Sequence, residues 1–75
     1  MDIEKSVQCV TAVRNYLAAN VPNHSSDWLW GLEVDVKDGH VNDVTGLLKG
    51  YIRGLHSVQA IDVAHVDELL ELLVR

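Results

Sequence analysis

The chain has 75 residues, 48% of them apolar and 23% charged, with six Lys and Arg against eleven Asp and Glu for a net charge of −5. That length allows one domain, residues 1–75, near the lower limit for folding on a hydrophobic core without a disulfide, metal or partner subunit. The negative charge repels phosphate backbones and anionic lipid headgroups, so neither nucleic acid nor a membrane surface is an expected partner.

With no Phe, two Trp and two Tyr, the core has to come from Val, Leu and Ile, which bury less area each than aromatics. Self-association into a homodimer would supplement such a core. The single cysteine, Cys9, has no disulfide partner and reads as a small buried apolar residue, which favours a reducing compartment. No run approaches the roughly 18 apolar residues a bilayer span needs, and the start MDIEKSVQ lacks the basic and apolar regions of a signal peptide. A cytoplasmic location is expected. Asn23-His24-Ser25 fits a glycosylation acceptor, but a cytoplasmic chain is not modified there.

From Asp2 to about Asn20, the residues Ile3, Val7, Val10, Val13, Leu17 and Val21 recur at three- and four-residue steps, which predicts a first helix. Asp2 caps its start, and Pro22 forces Val21 out of helical geometry. Arg14 lies beside the apolar seam, where its stem packs while the guanidinium reaches out to the edge. Residues Pro22 to Asp27 form a polar loop. Trp28, Trp30, Leu32, Val34 and Val36 then alternate with Leu29, Gly31, Glu33, Asp35 and Lys37, the pattern of a half-buried strand over Trp28 to Val36. Both tryptophans share the parity of the Leu-Val-Val face and are assigned to the core edge, with an exposed contact patch as the alternative.

Asp38-Gly39 suits a type I′ hairpin, with positive φ at both positions. Its register pairs Val36 with Val41 but then sets Val34 against Asp43, so the ribbon stops after one pair. Asn42 or Asp43 caps a second helix carrying Val44, Leu47, Leu48, Tyr51, Ile52 and Leu55. Gly54 is its expected left-handed terminator. Gly46 and Gly50 have no such role, and each costs roughly 0.5–1 kcal/mol against alanine inside a helix. Such a stripe admits another helix or backbone at close range, from this chain or a second copy. His56 to Val63 reads as a second strand, with the first turns of the last helix as the alternative. Asp62 caps a final helix whose Val66, Leu69, Leu70, Leu72, Leu73 and Val74 form a face broader than one core contact needs.

The run Leu32-Glu33-Val34-Asp35-Val36-Lys37-Asp38-Gly39-His40-Val41, with Gly54-Leu55-His56-Ser57-Val58 and Ala12-Val13, resembles the BON domain pattern. That family's second strand, after the DG turn, is nearly absent here and a final helix replaces its ending, so its lipid-binding role is not carried over. The segment DVKDGHVNDVTGLLKGYIRG resembles a dockerin repeat, a calcium loop leading into a helix. Counting back from Gly39 puts Val34, Val36 and Asp38 at the ligand positions, and two of those three side chains have no oxygen, which removes calcium.

Four histidines, His24, His40, His56 and His65, lack metal-binding spacing, and Cys9 has neither a cysteine partner nor a glycine-rich oxyanion loop beside it. No metal, cofactor or catalytic residue is expected. Asp35, Asp38 and Asp43 cluster at the turn and Asp67, Glu68 and Glu71 line the final helix, as a solvated face or as an acidic surface that masks a basic site on a partner. Lys49 and Arg53 do not make a nucleic-acid site.

These readings add up to an α+β domain in the order helix, strand, helix, strand, helix with a minimal sheet. The alternative is an all-helical bundle with Ser57 to Arg75 continuous. The expected function is that of a small acidic non-enzymatic regulator, such as an inhibitor, antitoxin-like, immunity-like or phage-encoded protein, that binds another protein. The candidate contact residues are Gly46, Gly50, Trp28, Trp30, Asp67, Leu70, Glu71 and Val74. The alternative is a small-ligand or lipid-binding module with a pocket between the second helix and the strand, near Trp28, Trp30 and Tyr51.

Overall fold

A computed structural model of the chain describes residues Asp2–Val74 as four helices: α1 (Ile3–Asn20), α2 (Asp27–Lys37), α3 (Val44–Ser57) and α4 (Val63–Leu73). Among the described residues there is no strand, so the α+β expectation and its minimal sheet are corrected to an all-helical bundle. The strand-helix order behind the BON resemblance goes with them. Arg75, the end of the alternative continuous helix, lies outside the described residues.

The first helix forms where its caps and periodicity place it. The Asp2 carboxylate accepts the Lys5 N–H at 2.7 Å, and the Val21 N–H closes the last turn onto the Leu17 carbonyl at 2.8 Å. Ser6, Val10, Val13 and Leu17 form its buried stripe, and α1 packs against all three other helices.

The main difference lies at Trp28–Val36, which reads as a strand and folds within the helix α2, Asp27–Lys37. The buried set is Leu29, Leu32, Glu33 and Val36, an i, i+3, i+4, i+7 stripe on one helical face. The apolar alternation is incidental to it. Asp38-Gly39 ends this helix instead of turning a hairpin. Asp38 remains right-handed at φ −81°, and only Gly39, at φ +75°, is left-handed. The His40 N–H bonds the Asp35 carbonyl at 3.0 Å and the Gly39 N–H bonds that of Val36 at 3.1 Å, the paired bonds of a Schellman stop. Val41 therefore folds against the core as a half-buried residue and forms no ribbon with Val36.

α3 starts where Asp43 accepts the Gly46 N–H at 2.9 Å. It does not stop at Gly54. It continues to Ser57 and closes with a second Schellman pair, Gln59 N–H to the His56 carbonyl and Ala60 N–H to that of Leu55, at 2.9 and 2.8 Å. The left-handed position is held by Gln59 at φ +63°, where the β-carbon crowds the following carbonyl. The expected strand in His56–Val63 is therefore the end of α3, a turn, and the first residue of α4. Asp62 caps α4 as read, in a box where His65 replaces the usual Glu or Gln. Its carboxylate accepts the His65 N–H at 3.0 Å and its own N–H donates to His65 Nδ1 at 3.4 Å. That donation requires the tautomer with the proton on Nε2.

The core joins Val10, Val13 and Leu17 of α1 to Leu29, Leu32 and Val36 of α2, Val44, Leu48 and Ile52 of α3, Leu69 and Leu73 of α4, and Ile61. All are aliphatic, so the core is built without either tryptophan. Burying each such side chain stabilises the fold by roughly 1.5–3 kcal/mol.

Candidate functional site

Two residues apart, Trp28 and Trp30 would share one face of a strand, whereas on a helix they are turned about 200° from each other. They flank the buried stripe of α2 on opposite sides. Trp28 is 44% exposed, Trp30 51%, Val34 56%, and Leu47 across on α3 44%. The expectation that both tryptophans belong to the core edge is corrected: each is exposed, with one ring face covered.

Trp28 stacks on Tyr51 of α3 with ring centroids 4.3 Å apart and planes 7° from parallel. The Tyr51 hydroxyl and His24 Nε2 are hydrogen-bonded at 2.5 Å, joining the α1–α2 loop to α3. Burial pushes the Tyr51 hydroxyl up and the His24 imidazole down from their ordinary values. Both effects favour the uncharged forms, so this is a bond between neutral groups near pH 7.

Trp30 covers Arg14 of α1, whose guanidinium carbon sits 3.7 Å from the ring centroid. Arg14 does not reach out to solvent. Its Nη1 lies 3.3 Å from Glu33 Oε1, with side-chain exposures of 14% and 10%. The Thr11 hydroxyl donates to the same oxygen at 3.1 Å, and Lys37 stands 3.9 Å from Oε2. Arg14 Nη1 is close enough for an ion pair but has no aligned hydrogen-bond acceptor. Burial raises the Glu33 carboxyl, but Arg14 and Thr11 outweigh it and hold the group below its ordinary value. This cluster joins α1 to α2.

On the other flank of α2 an open groove of about 270 Å³ is lined by Trp28, Gly31, Leu32, Asp35, Val41 and Leu47. It lies between α2 and α3, the segments read as strand and second helix. Trp28 walls it, Tyr51 backs Trp28, and Trp30 is outside it. Gly31, Asp35, Val41 and Leu47 were not singled out as groove residues. In the sequence Gly31 falls on the polar face of the expected strand, where a missing side chain carries no signal, and Leu47 falls in the core stripe of its helix.

The glycines have separate explanations. A β-carbon at Gly46 would stand 2.2 Å from the Asp43 carboxylate that caps α3, whereas nothing lies within 4 Å of the corresponding position at Gly31, Gly50 or Gly54. Among the described residues none packs closely on Gly50, so the expected close contact within the chain is not found there. On α4, Asp67 and Glu71 are exposed and Leu70 is half-buried against the core; Val74, the residue that follows the helix, is exposed. Most of the surplus leucine face is therefore used internally. These residues lie outside the Trp28–Leu47 groove, so the predicted contact residues divide between two surfaces.

Beside α4, the Tyr16 hydroxyl donates to Glu68, and burial followed by that carboxylate pushes it up to about 12. A second open depression touches His56, Asp62 and His65. No group of three or more His, Cys, Asp or Glu among the described residues is arranged to hold a metal ion. Among the described residues no helix is long and apolar enough to cross a membrane. No protein-family model, curated protein or solved structure matches this chain.

Proposed function

We propose that this is a small non-enzymatic protein that acts by binding another protein, as an inhibitor or regulator, through the surface centred on α2. The observation that carries this reading is the exposure of apolar side chains on both flanks of the eleven-residue α2, Trp28 on one, with Leu47 across the groove on α3, and Trp30 with Val34 on the other. The core is complete without these residues, so core packing does not account for them. Exposed apolar side chains, tryptophan above all, are where protein partners gain most of their contact energy. The half-buried free thiol of Cys9 suits a reducing compartment, and the cytoplasm is the proposed location. Self-association through the same surface is the homodimeric form of this reading.

The test is affinity capture from the source cells with the intact chain and with Val34→Asp and Leu47→Asp. Both residues are exposed, so the helical circular-dichroism signal and Tm should hold. A stoichiometric partner held by the parent chain and lost with Leu47→Asp is the expected result. A partner retained equally by both variants, or no stoichiometric partner, counts against the proposal.

A small-ligand or lipid-binding module is the second reading, favoured by the groove beside Trp28. At about 270 Å³ the groove lies under the roughly 300–1,000 Å³ usual for ligand pockets, which places this reading second. A ligand seated there would change Trp28 fluorescence. A flat response across lipid and metabolite panels would remove the idea.

A further inference from the structure

The groove between α2 and α3 has a defined chemistry. Trp28, Leu32, Val41 and Leu47 supply apolar walls and Asp35 a carboxylate. Among the described residues no cation pairs with Asp35. The charge around it is one-sided: residues 27–47 hold five carboxylates and one lysine, a net −4 of the chain's −5. Glu33 is neutralised internally by Arg14, and Lys37 leans on the same carboxylate. What faces solvent is therefore Asp27, Asp35, Asp38 and Asp43, all exposed. The cations of α3, Lys49 and Arg53, are turned about 120° or more around the helix from Leu47, away from the groove.

Gly31 lines the groove with open space where a side chain would stand, and Gly50 and Gly54 are equally open within about 60° of Leu47 around α3. An incoming backbone can approach α2 closely at Gly31, which lines the groove, while Gly50 and Gly54 lie outside its lining. A segment that fills this groove needs apolar side chains at helical spacing to meet Trp28, Val41 and Leu47, and a cation to meet Asp35.

The geometry points to a short basic amphipathic helix of a partner protein, docked in the α2–α3 groove with a Lys or Arg on Asp35. This rests on the protein-binding reading above and gives that partner a chemistry. The acidic rim steers such a segment in and disfavours acidic ones.

The experiment is selection of a displayed library of random 16-residue peptides against the intact chain, with recovered peptides measured against Asp35→Asn and Gly31→Leu. Both positions are exposed and open, so both variants keep the fold. The expected result is amphipathic peptides with Lys or Arg beside the apolar face, about tenfold weaker on Asp35→Asn and weaker still on Gly31→Leu, where leucine fills the groove. Peptides that bind both variants as well as the parent would overturn this site and leave the protein-binding reading standing. No enrichment over an unrelated control protein would likewise overturn this site, whereas the protein-binding reading falls only if the capture experiment also returns no stoichiometric partner.

Discussion

Replacing Glu33 with Gln tests the buried polar cluster most severely. At the 3.3 Å separation from Arg14, Coulomb attraction at an effective dielectric near 20 is about 5 kcal/mol before the cost of desolvation. The variant keeps the amide near the Thr11 hydroxyl but leaves Arg14 charged and largely buried, with Trp30 on one side and no aligned hydrogen-bond acceptor. Breaking fully buried pairs costs about 3–5 kcal/mol. Because Arg14 and Glu33 keep a little exposure, about 2–3 kcal/mol is expected, a fall in Tm of about 10–20 °C for a domain this size. The assay is thermal unfolding by circular dichroism. The double variant Arg14→Leu/Glu33→Leu should recover most of the loss, since an apolar pair leaves no stranded charge. The pH dependence follows from the lowered Glu33 value. The unfolded chain takes up the proton first as pH falls, so the contribution is complete above about pH 4.5 and lost as pH falls through the folded-state value. The gap between parent and Glu33→Gln should close there. A loss under about 0.5 kcal/mol at pH 7, the level of an exposed pair, would refute the reasoning.

Gln59→Gly should raise stability by about 0.5–1 kcal/mol, because glycine takes the left-handed position after α3 without steric cost; an unchanged or lower Tm would place Gln59 in a different turn. Leu17→Ala removes a fully buried side chain from the helix that touches all the others and should cost about 2–5 kcal/mol in urea unfolding. The His24 value is lowered by burial, so its contribution is complete above about pH 6.5 and lost as pH falls through the folded-state value. His24→Gln should flatten that part of the stability curve, and Trp28 fluorescence reads the same loosening through Tyr51. Asp62→Ala removes the carboxylate from the capping box of α4 and should cost about 1 kcal/mol, seen as a loss of hydrogen-exchange protection over Val63–Val66.

Three of the four helices were legible because their signals are local. Asp2, Asp43 and Asp62 cap where short polar residues precede apolar periodicity, and Pro22 and Gly39 end segments through their own backbone limits. α2 was not legible because one position in its buried stripe is Glu33, a residue that looks exposed unless its cation is known. That cation, Arg14, comes from another helix nineteen positions earlier, and burial of the pair is decided only when α1 and α2 meet. The one local warning was Leu29, an apolar residue on the supposed polar face of a strand. Reading Gly54 as the end of α3 failed for a related reason: Leu55 still contributes to the core, so packing carries the helix past glycine and leaves Gln59 to take the left-handed position. The candidate site was legible only in pieces. Trp28 and the acidic turn stand out in the sequence, but the groove exists because α2 is a helix, which turns Trp28 toward Leu47 and Trp30 toward Arg14.

The most direct test of the α2-centred surface is a ¹H–¹⁵N correlation spectrum of the labelled chain, free and saturated with its captured partner. The account predicts that shifted or broadened amides gather in residues 28–35 and 41–50, with the Trp28 indole N–H among them. A footprint confined to residues 63–74, around Asp67, Leu70, Glu71 and Val74, would contradict it and place the binding face on α4.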